Sequence, residues 1–136
     1  MSEPDSKVHT HAAAGQTILL VEPDPPSLVA LAMILRALGY LVFESDGAGE
    51  IVRHLKETSI NLLMINDLTP RKKMAELTEH LRQMHRKPPV LFLSDGKATA
   101  RPSATFLRRP VSVAVLARTL QDLLARAPVN RSRRLV

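Results

Sequence analysis

The chain has 136 residues, a net charge of +6, 45% hydrophobic residues and no cysteine. That length suits one compact domain with short tails, and the hydrophobic share supplies a core of ordinary size. The lack of cysteine excludes disulfides, thiol catalysis and cysteine-based metal sites, and with no Trp, one Tyr and three Phe a base-stacking platform for single strands is not expected.

Residues 1–15 are small and polar and read as a flexible N-terminal tail. They open without a basic region before an apolar stretch, so no signal peptide is expected. His9 and His11 offer a weak metal contact at most, with no further ligands nearby, and no metal site is expected of them. The first apolar run, Ile18-Leu19-Leu20-Val21, is short and continuous, as in a strand buried on both faces of a parallel sheet. Leu28, Leu31, Leu35 and Leu38 then follow at spacings of three and four, which predicts a helix closed by Gly39. The longest apolar run ends at Leu35 and is too short to span a bilayer. A soluble, cytoplasmic protein with no membrane partner is expected.

Leu41-Val42-Phe43 predicts a second strand, and Ile51, Val52 and Leu55 mark a short helix after the Asp46-Gly47 turn. Leu62-Leu63-Met64-Ile65 is the third strand. Met74, Leu77, Leu81 and Met84 give the third helix, ended by Pro88-Pro89. Val90-Leu91-Phe92-Leu93 is the fourth strand and Thr105-Phe106-Leu107-Arg108 the fifth. Val113, Leu116, Leu120, Leu124 and Ala127 place a final helix over about 112–127. Strands alternating with helices imply a doubly wound α/β domain over 16–127, with a basic C-terminal tail at 128–136.

In such sheets the functional groups gather beyond the C-terminal ends of the strands. The residues there are Glu22-Pro23-Asp24, Asn66-Asp67, Ser94-Asp95 and Arg109-Pro110. An acidic cluster, a carboxamide, a hydroxyl and a guanidinium therefore converge on one crevice.

This ordered set resembles the receiver domain of two-component response regulators, over roughly Thr17 to Ala127. ILLVEPD is similar to the family's first strand and acidic pair, and INLLMINDLTP to its third strand, where the phospho-acceptor lies four residues before a proline. PVLFLS is similar to the fourth strand with its switch hydroxyl. FLRRPVSVAVLARTL resembles the last strand and helix, where a Lys-Pro pair follows an aromatic. The resemblance implies a flavodoxin-like, five-stranded parallel sheet of order 2-1-3-4-5.

Four departures shape the functional expectation. Asn66 stands at the phospho-acceptor position, and a carboxamide is a far poorer nucleophile than a carboxylate. Asp67, the neighbouring acid, is a less favoured substitute acceptor. Pro23 replaces one of the two acids that hold Mg²⁺, so cation binding is expected to be weak or absent and no cofactor is assigned. Arg109 replaces the Lys; pairing with Glu22 and bonding to the Asn66 carboxamide are both open to it. Ser94 and Phe106 keep the switch positions, and both also read as structural groups. Finally, residues 95–104 contain Gly96 and Pro102 and lack an apolar face, so the fourth helix is expected to be missing or reduced to a turn.

The expectation is a phosphorylation-independent pseudo-receiver, without catalytic residues, that works through protein contacts. Its partner would be a histidine kinase, another receiver or an output protein, with a homodimer also open. Arg71, Lys72, Lys73, Arg108, Arg118 and Arg126 are the candidate interaction surface. The alternatives are a nucleic-acid-binding module using the basic third helix and the arginine-rich tail, and a receiver phosphorylated at Asp67.

Overall fold

The computed structural model describes residues 15–46, 51–94 and 105–126. The elements are β1 (Thr17–Val21), α1 (Pro25–Ala37), β2 (Leu41–Ser45), α2 (Ile51–Glu57), β3 (Leu62–Asn66), α3 (Arg71–Gln83), β4 (Val90–Ser94), β5 (Thr105–Arg108) and α4 (Val113–Arg126). All strands pair in parallel, in the order β2-β1-β3-β4-β5. The expected sheet is therefore present. The expectations for residues 1–14, for the shortened segment 95–104 and for the basic tail 128–136 fall outside the described residues.

The strand patterns follow position in the sheet. β1 and β3 lie inside it and are buried at every residue. Each fully buried aliphatic side chain there stabilises the fold by roughly 1.5–3 kcal/mol relative to exposure. β2 and β5, at the edges, are only partly covered. One face of the sheet is packed by α1 and α4, through Ala32, Leu35, Leu116 and Leu120 against Ile18, Leu20, Met64 and Leu91. The other face is packed by α2 and α3, through Ile51, Leu55 and Leu77 against Leu19, Leu63, Ile65 and Phe92.

Helix ends obey local chemistry. Asp24 caps α1, its carboxylate accepting from Ser27 N at 3.1 Å and Ser27 Oγ at 2.7 Å. At the other end Gly39 adopts φ 103°, which a residue with a Cβ resists. That turn lets Tyr40 N–H donate to Leu35 O and Gly39 N–H to Arg36 O, and places Tyr40 in the core.

β2 runs two residues beyond the Phe43 limit read from the sequence. Glu44 and Ser45 are not strand-forming in pattern, but Ser45 continues the ladder by accepting from Glu22 N at 2.9 Å. The carbonyls of Leu41, Phe43 and Ser45 turn toward β1, so that of Val42 faces the open edge. Arg36 covers it, donating to Val42 O at 3.0 Å and to Glu44 at 2.8 Å. This contact blunts an edge that would otherwise template pairing with another chain.

Candidate functional site

The strand order reverses between β1 and β3, the place where open α/β sheets form their crevice. Glu22 leaves β1 there, Asn66 is the last residue of β3, and Arg109 follows β5. Burial decides their relationship. Glu22 is fully buried and Asn66 nearly so, hence each polar atom needs a partner.

Glu22 is the hub. Its Oε1 accepts from the Arg109 guanidinium at 2.5 Å. Its Oε2 accepts from Asn66 Nδ2 at 2.7 Å and from the Asp24 backbone N–H at 3.1 Å. Asn66 uses its other end too, Oδ1 accepting from Leu68 N–H at 2.7 Å. The carboxamide thus ties the acidic end of β1 to the loop after β3. Of the two roles open to Arg109, the structure shows pairing with Glu22; it and Asn66 meet through the carboxylate between them. A carboxylate at position 66 could not donate this bond, which is what makes the asparagine fit here.

Asp24, the other acid of the Glu22-Pro23-Asp24 cluster, places its carboxylate on Ser27 as the α1 cap, and its backbone N–H donates to Glu22. Pro23 has no donor or acceptor in its side chain. Asp67 lies just beyond the strand and is half-buried, its N–H donating to Leu93 O at 2.8 Å. Ser94 is buried at the end of β4, with its carbonyl accepting from Arg109 N at 2.8 Å. Phe106 stacks on Phe92 with centroids 5.1 Å apart and packs into the core on the α2 and α3 side. The peptide bond between Arg109 and Pro110 is cis. Among the described residues, no three His, Asp or Glu side chains come together as a metal site.

The six candidate surface cations do not form one patch. Arg71, Lys72 and Lys73 open α3 on one face of the sheet, whereas Arg118 and Arg126 lie on α4 on the other; Arg108 is on the β5 edge. Periodicity could not show this, because it fixes a residue's place on its helix but not which side of the sheet the helix covers. Sequence reading also missed a groove of about 490 Å³ beside Arg109, walled by Leu31 and Ile34 of α1 and by Val111, Val113 and Leu116.

Comparison with solved structures settles the fold. The receiver domain of a sensor histidine kinase from Pseudomonas aeruginosa, solved with magnesium coordinated in its active-site cleft, superposes with a TM-score of 0.70. It is 26% identical, over 82% of this chain and 99% of that one. The chain has the fold of a response regulator receiver domain. The receiver domain of the hybrid histidine kinase CckA is 28% identical with a TM-score of 0.63, covering 79% of this chain and 98% of that one. A response regulator receiver domain protein from Methanospirillum hungatei is 20% identical at a TM-score of 0.71, over 85% and 98%. No family model matches the sequence, and no curated protein does. The receiver fold is that of two-component signalling proteins, and no helix among the described residues is long and apolar enough to cross a membrane.

Proposed function

We propose that this receiver-like domain is a phosphorylation-independent signalling module acting through protein contacts. The observation that carries the reading is the closed set around Glu22. A receiver that takes up phosphate needs a carboxylate nucleophile and a divalent cation to neutralise the transferred group. At the acceptor position the nucleophile is a carboxamide, and its nitrogen is bonded to Glu22. Both Glu22 oxygens are already engaged, one of them by a guanidinium that supplies positive charge without coordination chemistry.

Mg²⁺ does not fit this donor set. It requires oxygen ligands in near-octahedral geometry. Glu22 would have to leave Arg109 to bind it, Pro23 offers nothing, and Asp24 holds the end of α1. The side chains instead satisfy one another and set a single arrangement of the strand ends. Such a domain signals by being bound, and a histidine kinase, another receiver or an output protein is the kind of partner in view, in the cytoplasm.

Incubation with acetyl phosphate and Mg²⁺, followed by intact-mass measurement under mild conditions, tests this reading. The expected result is an unchanged mass. Gain of one phosphoryl group that hydroxylamine removes would establish an acyl phosphate, and its mapping to Asp67 would favour the alternative acceptor.

A further inference from the structure

We infer that the loop after β3 and the first turn of α3 form a docking surface for an acidic protein segment with an aliphatic anchor. Asn66 is the residue that sets this surface in place. The inference deepens the proposed function, because it names the partner chemistry for a site held without phosphate.

The surface has two independent features. Leu68 is 65% exposed and leaves its apolar surface available for burial by a partner. The backbone that carries Leu68 is fixed by its N–H donating to the buried Asn66 Oδ1, while Asn66 Nδ2 is anchored on Glu22. Beside it Arg71 and Lys72 are exposed and Lys73 is half-buried. None of the three has an ion-pair partner among the described residues. The first turn of α3 carries no acid, so its cations stand against the helix dipole rather than with it. Of the nearby acids, Asp67 is half-buried, Glu79 is paired with Arg82, and exposed Glu76, one turn on from Lys72 and Lys73, offsets part of the charge without an ion pair to them among the described residues, so the first turn stays net positive.

Charge complementarity selects an acidic partner, and Leu68 selects a protein over a nucleic acid. An exposed leucine gains nothing from a phosphate backbone but buries well against an aliphatic or aromatic side chain. The arginines of α4 lie across the sheet and would not extend a track for a polyanion.

The test is fluorescence anisotropy on the full chain. The probe is a fluorescein-labelled synthetic peptide with a leucine flanked by glutamates; its leucine-to-serine counterpart and duplex DNA are the controls. The leucine peptide is expected to bind, more weakly as salt rises. Leu68→Ser and the Arg71→Glu, Lys72→Glu pair should each reduce affinity about tenfold. Asn66→Ala should reduce it severalfold, and Asn66→Asp should retain more of it, because Asp keeps an oxygen for Leu68 N–H; a merely structural role would not show this rescue. Circular dichroism confirms that each variant is folded.

No binding, equal binding of the two peptides, or indifference to Leu68→Ser overturns the inference, and tighter binding of DNA overturns it in favour of nucleic acid. Repeating the titration with Mg²⁺ and beryllofluoride separates the two readings. If the mimic changes the affinity, phosphate independence fails while the docking surface stands. If the peptide does not bind and the mimic has no effect on the protein, only the docking surface fails.

Discussion

Replacing Arg109 by Ala is expected to lower the stability of the fold by about 3 kcal/mol, near the low end for breaking a buried pair. The low end applies because the arginine side chain is 26% exposed, whereas that of Glu22 is fully buried. What the substitution costs is chiefly the carboxylate left behind, with Asn66 and one backbone N–H as its remaining donors. Urea unfolding of the two proteins measures the loss directly. Removing the charge as well, in Arg109→Met combined with Glu22→Gln, should recover most of it, because a neutral pair carries no uncompensated charge. An Arg109→Ala protein within about 0.5 kcal/mol of the parent, the usual range for a surface substitution, would mean that the pair does not organise the pocket.

Asn66→Asp, the substitution that restores the acceptor, is the second large effect and runs against intuition. It sets a carboxylate against Glu22 Oε2 where a donor now sits at 2.7 Å. Two buried carboxylates in contact repel, and one Arg109 does not neutralise both. A loss of about 2–3 kcal/mol at neutral pH is expected, of the order of a buried donor removed and a charge added. The sign with pH follows from the proton. One proton shared between the two acids relieves the repulsion, so the deficit relative to the parent should shrink as pH falls and grow as it rises. Mg²⁺ should not rescue this variant, since Pro23 still lacks a ligand and Arg109 still holds Glu22. Pro23→Asp, Asn66→Asp and Arg109→Lys together should make stability respond to Mg²⁺. A single Asn66→Asp protein that is as stable as the parent, or that Mg²⁺ stabilises, would show that the closed pocket is not what keeps the cation out.

The strand cores were legible because β1, β3 and β4 are buried on both faces and must be continuously apolar. Glycine at 39 was legible for a similarly local reason, since the helix end needs a positive φ. Element ends were less so. α3 stops at Gln83, before the prolines, because Met84 already takes an extended backbone with ψ 140°. The site divided along the same line. Which residues would stand at the strand ends could be read from the order of the elements. How they would bond could not, because Glu22, Asn66 and Arg109 are 44 and 87 residues apart from hub to partner and only the folded sheet decides which oxygen meets which donor. Asp24 shows the limit well: one carboxylate, two plausible duties, and the helix cap took it.

The most direct test of the closed pocket is a pair of amide NMR spectra, recorded without and with Mg²⁺ plus beryllofluoride, a phosphoryl mimic. With the pocket closed, the two spectra are expected to superimpose at Asn66, Ser94 and Phe106. Saturable shifts clustered at those strand ends would contradict it, because they would require Glu22 to exchange its arginine for a cation and the pocket to respond to phosphate chemistry.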